Sequence, residues 1–151
     1  MTELNQYQNF IAKSRYSRYI AELKRREHWN ETAARWVNFM QERFPQIQDE
    51  VFAEAYTSIA NLEALPSMRS IMTAGEALKR THVAAYNCSY LPVDHIRAFD
   101  EAMYILLCGT GVGFSVEKKY VDLLPKLPET IKFSKEKIAV EDSKEGWCYA
   151  Y

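Results

Sequence analysis

Residues 86–117, YNCSYLPVDHIRAFDEAMYILLCGTGVGFSVE, decide the fold because their hydrophobic pattern changes twice within one short stretch. The preceding and overlapping segment THVAAYNCSYL (81–91) is rich in β-branched and aromatic residues, which predicts a strand that carries Cys88. Asp94 is the expected N-cap of a helix, and GTGVGFSVE (109–117) predicts a second extended run. Strand, helix and strand in this order predict the βαβ unit of an α/β sheet or barrel. The expected apolar face of the helix comprises Ile96, Phe99, Met103 and Leu106 or Leu107.

Two amphipathic patterns precede this unit and predict a helical hairpin. Pro45 ends the first helix, and the second stops before Pro66. Residues 1–27 are polar and basic and predict an arm or a short helix. The two expected apolar faces are Trp29, Ala33, Trp36, Val37, Met40 and Phe44, then Ile47, Val51, Ala55, Ile59 and Leu62.

The remaining segments predict loops and short helices. PSMRSIMTAGEALKR (66–80) is expected to be an irregular loop followed by a short helix, and residues 120–137 are expected to be mostly loop. Ser143 is the expected N-cap of a last helix, which the sequence ends about two turns later. Because so short a helix has little stability alone, we expect the chain to be cut off there rather than finished.

Composition predicts a soluble globular chain, either one domain or a piece of a larger one. Of 151 residues, 48% are hydrophobic and 26% are charged, and the formal net charge is -1. This balance gives no electrostatic case for a nucleic-acid or membrane partner. The start has no signal-peptide pattern, and no apolar run approaches the roughly 18 residues of a membrane span. The sequence therefore predicts a cytoplasmic protein.

The three cysteines, Cys88, Cys108 and Cys148, include no C-x-x-C pair. They therefore predict neither a disulfide framework nor a zinc site, and the three histidines add no metal-ligand spacing. Taken alone, Cys88 has two interpretations, a small buried hydrophobe or a redox-active thiol, of which the first is the more common. Cys108 and Cys148 are expected to be packed in the core.

Two further motifs have a structural and a functional interpretation. Gly109, Gly111 and Gly113 alternate, but the helix precedes them and the strand follows, the reverse of the dinucleotide-binding order. Gly109 suits a helix stop, whereas three alternating glycines predict close approach of a ligand or of another chain segment. In PSMR (66–69), Ser67 and nearby N–H groups suit an anion, or the motif is simply a proline-led turn.

Six ordered segments together resemble one family, the adenosylcobalamin-dependent (class II) ribonucleotide reductases, particularly the monomeric ribonucleoside-triphosphate reductases. The resemblance covers nearly the whole chain and follows the family's order. The segments are residues 14–40, 65–75, 84–94, 99–117, 120–128 and 140–147, which include PSMR, YNCSYLPVD and LLCGTGVGFSVE.

The resemblance implies a fold for the two halves of the chain. The family's catalytic domain is a ten-stranded α/β barrel that follows a helical segment. Residues 1–65 would then be the N-terminal helical segment, and residues 66–151 the truncated start of the barrel.

The resemblance also implies an oxidoreductase that makes deoxyribonucleotides for DNA synthesis. In this family a cobalamin-derived radical passes to a cysteine, the resulting thiyl radical removes the ribose 3′ hydrogen, and the 2′-hydroxyl leaves as water. Two further cysteines supply the electrons by forming a disulfide, which an external dithiol such as thioredoxin reduces again. Cys88 matches the first member of that pair. The residues that match substrate-contacting positions are Ser67, Asn87, Thr110 and Gly111.

A complete reductase of this kind is several times longer. The second cysteine of the pair, the radical cysteine and most adenosylcobalamin contacts are therefore expected after Tyr151. The leading hypothesis is the N-terminal part of a reductase, from a split gene, an interrupted frame or a truncation, which is inactive without its C-terminal part. The alternatives are a non-catalytic nucleotide-contacting or assembly fragment, and a degenerate remnant.

Overall fold

The computed structural model describes residues 3–130 and 134–151. The chain divides into two compact units, Met1–Ala85 and Tyr86–Tyr151. Part of the stretch expected to be mostly loop, residues 131–133, lies outside the described residues. Within the part of the chain that is described, no helix combines the length and the apolar character needed to cross a bilayer.

The first unit is mainly helical and carries one short antiparallel hairpin. The polar start of the chain forms a short helix, which is one of the two predictions for residues 1–27, an arm or a short helix. Asn5 begins that helix through a capping box with Gln8, in which each side chain accepts a hydrogen bond from the other residue's backbone N–H. The elements are α1 Gln6–Ile11, a π-helical turn Ala12–Tyr16, β1 Tyr19–Ile20, β2 Arg25–Arg26, α2 Trp29–Arg43 and α3 Asp49–Ala60.

The expected helical hairpin is confirmed by the packing of α2 against α3. The indole N–H of Trp29 donates to the carbonyl of Ile59 at 3.0 Å and so fixes the start of α2 to the end of α3. Side chains of both helices bury a common apolar core with two residues from outside the hairpin, Ala12 before it and Ile71 after it. Its buried members are Ala12, Trp29, Ala33, Val37, Phe52, Ile59 and Ile71.

Three residues assigned to the apolar faces are exposed, so those assignments are wrong. Phe44 follows the last residue of α2, Ile47 precedes α3, and Val51 is 49% exposed within it. Phe52 takes the buried position instead of Val51. α3 begins at Asp49, and successive side chains of a helix point about 100° apart. The side chain of Phe52 therefore points to the core while that of Val51, one residue earlier, points away from it.

Residues 66–85 complete the first unit with three short helical segments, α4 Met68–Thr73, α5 Glu76–Arg80 and a 3-10 turn His82–Ala85. The prediction of an irregular loop after Pro66 is therefore wrong in part: Ser67 caps α4, and its Oγ accepts a hydrogen bond from the N–H of Ser70 at 3.1 Å. The predicted strand from residue 81 starts only at Cys88, because the 3-10 turn occupies the preceding residues. The domain boundary expected between residues 65 and 66 stays a prediction.

A buried ion pair joins α2 to the segments around it. The guanidinium of Arg35 binds Glu27 with both Nε and Nη2, at 2.8 and 3.1 Å, and Glu27 is only 6% exposed. The Nη1 of Arg35 also donates to the carbonyls of Ile71 and Ala74. The pair therefore fixes the C-terminal end of α4, the helix that Ser67 caps.

The second unit contains the βαβ arrangement expected from the sequence. Its strands are parallel, and Cys88 to Pro92 pair in register with Gly111 to Ser115. α6 connects the two strands and packs on both. Mixed helix and sheet is thus confirmed, whereas a ten-stranded barrel stays a proposal, because the described part of this unit holds two strands. The elements are β3 Cys88–Pro92, α6 Ala98–Leu107, β4 Gly111–Ser115, α7 Lys118–Val121 and α8 Lys144–Ala150.

The expected N-cap of α6 is wrong, because Arg97 rather than Asp94 occupies that position. The carboxylate of Asp94 instead lies 2.6 Å from Nδ1 of His95. Glu101 lies 3.5 Å from Nε2 of the same ring. Hydrogen bonds from the ring to these two carboxylates, that with Asp94 first, raise the pKa of His95. The side chain of Asp94, which the sequence pattern predicts to be a helix cap, instead orients His95 just before α6.

The N-cap of α8 is confirmed, since Oγ of Ser143 accepts a hydrogen bond from the N–H of Gly146 at 2.9 Å. The turn is crowded at Gly146: a Cβ atom there would lie 2.6 Å from the carbonyl oxygen of Glu141 and 2.9 Å from its Cβ.

We expect Gly146→Ala to destabilise the second unit by about 1–3 kcal/mol, the usual cost of overpacking. Alanine favours a helix over glycine by only about 1 kcal/mol, so the clash with backbone outweighs the gain. Urea unfolding followed by circular dichroism measures the change. Gly113→Ala is the matched control, because its Cβ would meet Ser89 at an ordinary 3.6 Å. Equal stability of the two variants would contradict the close contact between Gly146 and Glu141.

Candidate functional site

Cys88 lies at the amino end of β3, directly beside the amino end of β4. It is paired in register with Gly111, and both residues are exposed. The N–H of Gly111 donates to the carbonyl of Asn87 at 2.9 Å, which closes the first rung of the ladder. Three predicted site residues, Asn87, Cys88 and Gly111, therefore meet at one corner of the sheet, and Thr110 adjoins them in sequence.

The two faces of this sheet differ. Because side chains alternate along a strand, Cys88 and Tyr90 share one face, and Ser89 and Leu91 share the other. Leu91 and Val112 line an apolar cavity with residues of α6. The face that carries Cys88 is thus the one turned away from α6. Cys88 is exposed, so its interpretation as a small buried hydrophobe is wrong.

The glycines of CGTGVGF do not all serve the same purpose. Gly109 has a φ of 84°, in the left-handed region, and ends α6 as the helix-stop interpretation predicts. Gly111 has no such φ, and a Cβ there would meet Asn87 at an ordinary 3.5 Å. Neither backbone conformation nor internal crowding requires a glycine at 111. Its missing side chain leaves free space next to Cys88, for a ligand or for another chain segment.

The buried side chain of Thr110 connects the two strands at this corner of the sheet. It is 2% exposed, and its Oγ1 donates to the carbonyl of Tyr86 at 2.8 Å. That bond ties the start of β4 to the residue before Asn87. In this geometry Thr110 positions the two strand ends, and contact of its side chain with substrate stays a prediction.

We expect Thr110→Val to destabilise the second unit by about 0.5–1.5 kcal/mol, the usual net contribution of one hydrogen bond, because the carbonyl of Tyr86 loses its donor. Hydrogen exchange of the Gly111 amide, whose bond to Asn87 depends on the same corner, should also become faster. Thr110→Ser keeps the hydroxyl and is the matched control. If the valine variant protected that amide as well as the serine variant, the positioning role of Thr110 would be wrong.

Ser67 lies in the first unit, at the N-cap of α4, and is exposed. Its Oγ already accepts the bond from Ser70, and its hydroxyl hydrogen can still donate outward. A substrate contact at Ser67 and its approach to Cys88 stay predictions.

Sequence reasoning missed two features of the second unit. Tyr90 and Gly113 are also register partners, two residues along the same open face as Cys88 and Gly111. The period of two would have found them. The second feature is a contact between Lys144 and Cys108, which lie 36 residues apart and which no sequence pattern connects. Cys108 and Cys148 are half-buried rather than core residues.

The described residues do not include a group of three or more histidine, cysteine, aspartate or glutamate side chains placed to hold a metal ion. The apolar cavity between α6 and the sheet, lined by residues such as Leu91, Met103 and Phe114, does not suit adenosylcobalamin. A corrin carries amide groups, which need hydrogen-bond partners when they are buried. This apolar cavity therefore does not provide the polar partners that adenosylcobalamin would need.

Comparison with known proteins supports the resemblance seen in the sequence. No family model matches the chain. The adenosylcobalamin-dependent ribonucleoside-triphosphate reductases of two strains of Lactobacillus delbrueckii subsp. bulgaricus are each 25% identical over 167 aligned positions, which cover 89% of this chain. The chain spans 22% of the length of these curated relatives.

The fold comparison agrees. A crystal structure of a B-12 dependent (class II) ribonucleotide reductase matches with a TM-score of 0.79 at 22% identity, over 93% of this chain and 28% of that one. The suspected similarity to class II ribonucleotide reductases is thus confirmed: the chain resembles part of these proteins in sequence and shares their fold over nearly its whole length.

Proposed function

We propose that this chain supplies the amino-terminal part of a class II ribonucleotide reductase and that Cys88 is one thiol of its reducing pair. The substrate is a ribonucleotide, a ribonucleoside triphosphate by likeness to the relatives' type, and the product is the 2′-deoxyribonucleotide used for DNA synthesis. Adenosylcobalamin, the radical cysteine and the second thiol of the pair belong to the remaining part of the enzyme, which this chain must join to be active.

The observation that carries this proposal is the placement of Cys88. Its thiol is exposed on the face of the sheet away from α6, and its neighbour across the strand pair, Gly111, presents no side chain. A thiol that must meet both a substrate ribose and a second thiol needs such free space on one side. A cysteine that only packs the core would lie on the opposite face, toward α6.

Cys88 supplies one thiol in a balanced two-electron step. Two cysteine thiols lose two electrons and two protons and form a disulfide, while the ribose loses its 2′-hydroxyl as water. The net change is ribonucleotide plus two thiols giving deoxyribonucleotide, disulfide and water. An external dithiol, such as thioredoxin, then reduces the disulfide by thiol–disulfide exchange. Three free cysteines and this need for reduction agree with a reducing compartment, the cytoplasm.

The other predicted site residues have roles that suit nucleotide binding. Asn87 is exposed and precedes Cys88, so its amide can bond ribose hydroxyls. Gly111 lets the sugar approach the backbone. Ser67 has a hydroxyl free to donate to a phosphate oxygen. Thr110 keeps the strand ends in register through its bond to Tyr86.

Reconstitution tests the proposal. The chain is mixed with the polypeptide that carries the remaining barrel of the same reductase, a ribonucleoside triphosphate, adenosylcobalamin and a dithiol, and deoxyribonucleotide is measured. We expect product only when both polypeptides are present. A stable complex without product would favour the alternative of an assembly or nucleotide-contacting module. A failure of the two polypeptides to associate would favour a remnant.

A further inference from the structure

Lys144 and two cysteines come together where α8 packs on α6. Nζ of Lys144 lies 3.4 Å from Sγ of Cys108, the residue that follows α6. Cys148 is four residues after Lys144 on α8, one helical turn away, and therefore lies on the same side of that helix. Both cysteines are half-buried, so a small reagent can reach them. The cluster is separate from Cys88, which is on the opposite face of the sheet from α6.

The ammonium of Lys144 is held in contact with the sulfur of Cys108. Only 18% of the lysine side chain is exposed, and its ammonium lies 4.9 Å from the centre of the Tyr104 ring. The carboxylate of Glu145 forms an ion pair with this ammonium at 3.7 Å. Sγ of Cys108 is closer and within hydrogen-bond distance, so a thiolate that forms there during a reaction meets a cation. Burial, the largest effect, lowers the pKa of Lys144, but the hydrogen bond to Cys108 and the electrostatic interactions with its neighbours, Glu145 among them, together outweigh burial, and the pKa is raised.

Cys148 differs from Cys108 in its surroundings. Burial, together with the negative charge of Asp100 and Glu145, raises the pKa of Cys148. A cysteine in contact with a cation, and a second thiol one helical turn from that cation, are the two groups that a peroxide-reactive cysteine and its resolving cysteine require.

We propose that Cys108 is a hydroperoxide-reactive cysteine, assisted by the ammonium of Lys144, and that Cys148 resolves its oxidised form as a disulfide between the end of α6 and α8. In the first step the thiolate attacks the peroxide: the O–O bond breaks, sulfur gains OH as a sulfenic acid, and the other oxygen leaves, with a proton, as water or alcohol. In the second step the thiol of Cys148 displaces that OH as water and the S–S bond forms. The peroxide is the oxidant, and each step balances. This proposal does not depend on the proposed reductase function.

The test treats the whole chain with substoichiometric hydrogen peroxide at neutral pH and maps each cysteine by mass spectrometry. We expect a Cys108–Cys148 disulfide, with Cys88 unmodified although it is the most exposed of the three. Cys148→Ser should instead leave a sulfenic acid on Cys108 that dimedone captures. Oxidation of Cys88 first, or a sulfenic acid on Cys148, would overturn the proposal.

Two lysine variants separate charge from packing. Lys144→Met should slow alkylation of Cys108 by iodoacetamide about tenfold, the factor that one charge-assisted hydrogen bond is worth at the lower end of its range. Lys144→Arg keeps the cation and should restore most of the rate. Circular dichroism shows whether the methionine variant keeps α8. An unchanged rate in a folded methionine variant would show that Lys144 does not activate the thiol, and failure of arginine to restore the rate would contradict the role of charge.

Discussion

Serine in place of Cys88 is expected to reduce deoxyribonucleotide formation by the reconstituted enzyme to background when a dithiol is the reductant. Serine has nearly the shape of cysteine, but its hydroxyl cannot form a disulfide, so the pair can no longer deliver two electrons. The affinity for the ribonucleotide should change little, because Cys88→Ser leaves Asn87, Gly111 and the bond between Thr110 and Tyr86 in place. Product formation under multiple turnover and nucleotide binding by equilibrium dialysis measure the two effects separately.

Cys108→Ser is the matched control for that experiment, since it makes the same change in the same unit away from the open face. We expect it to keep full turnover. If Cys88→Ser were as active as this control, Cys88 would have no part in reduction. If both variants lost activity together with helical structure, circular dichroism would show it, and the loss in the Cys88 variant would then have to be measured against the folded fraction.

Removing the carboxylate of Glu27 should strongly destabilise the first unit. In Glu27→Ala the guanidinium of Arg35 stays buried without its counter-charge, which typically costs about 3–5 kcal/mol. Thr32 and the N–H of Arg18, which both donate to Oε2 of Glu27 at 3.0 Å, also lose their acceptor. Chemical unfolding of the whole chain, followed by tryptophan fluorescence from Trp29 and Trp36 in the first unit, measures the loss.

A double variant and an exposed pair control for this prediction. Glu27→Leu combined with Arg35→Met removes both charges and should recover the part of the loss that comes from the unpaired guanidinium, but not the hydrogen bonds that Glu27 and Arg35 make to neighbouring groups. Glu31→Gln breaks the ion pair with Arg25. The side chains of Arg25 and Glu31 are 36% and 40% exposed, so this change should lower the free energy of unfolding far less. Equal losses in Glu27→Ala and Glu31→Gln would contradict the importance of burial at Glu27.

Both carboxylates give the first unit the same direction of pH dependence. Burial raises the pKa of Glu27, but hydrogen bonds from Arg35, Arg18 and Thr32 outweigh it and the pKa is lowered. The hydrogen bonds from Arg25 lower the pKa of Glu31 to about 2. A carboxylate with a lowered pKa stabilises the fold fully above its ordinary pKa and loses that contribution as the pH falls through the lowered value. Acid should therefore weaken the first unit progressively below the ordinary carboxylate range.

Sequence periodicity predicted the parts of the fold that depend on local pattern. The hairpin of α2 and α3 and the parallel pair of β3 and β4 follow from apolar spacing and from Gly109, which ends α6. The errors occur where tertiary contacts compete with local signals. Asp94 has the side chain of an N-cap but bonds His95 instead, and residues 82–85 form a 3-10 turn despite their strand-like composition.

The candidate site was predictable only through likeness to a family. Composition and spacing alone favoured a buried Cys88, because nothing local to the sequence tells which face of a strand a helix will cover. The strand register supplies that information by placing Cys88 beside Gly111 on the side away from α6. The contact between Lys144 and Cys108 was out of reach for the same reason, since it depends on how α8 packs on α6.

Cys88 is proposed to give one electron to the nucleotide while a second thiol gives the other. One turnover of the reconstituted enzyme without external dithiol, followed by quantitative mapping of disulfides, tests this role. We predict one disulfide between Cys88 and a cysteine of the complementary polypeptide for each deoxyribonucleotide formed. Formation of deoxyribonucleotide while Cys88 remains a free thiol would show that Cys88 is not part of the reducing pair.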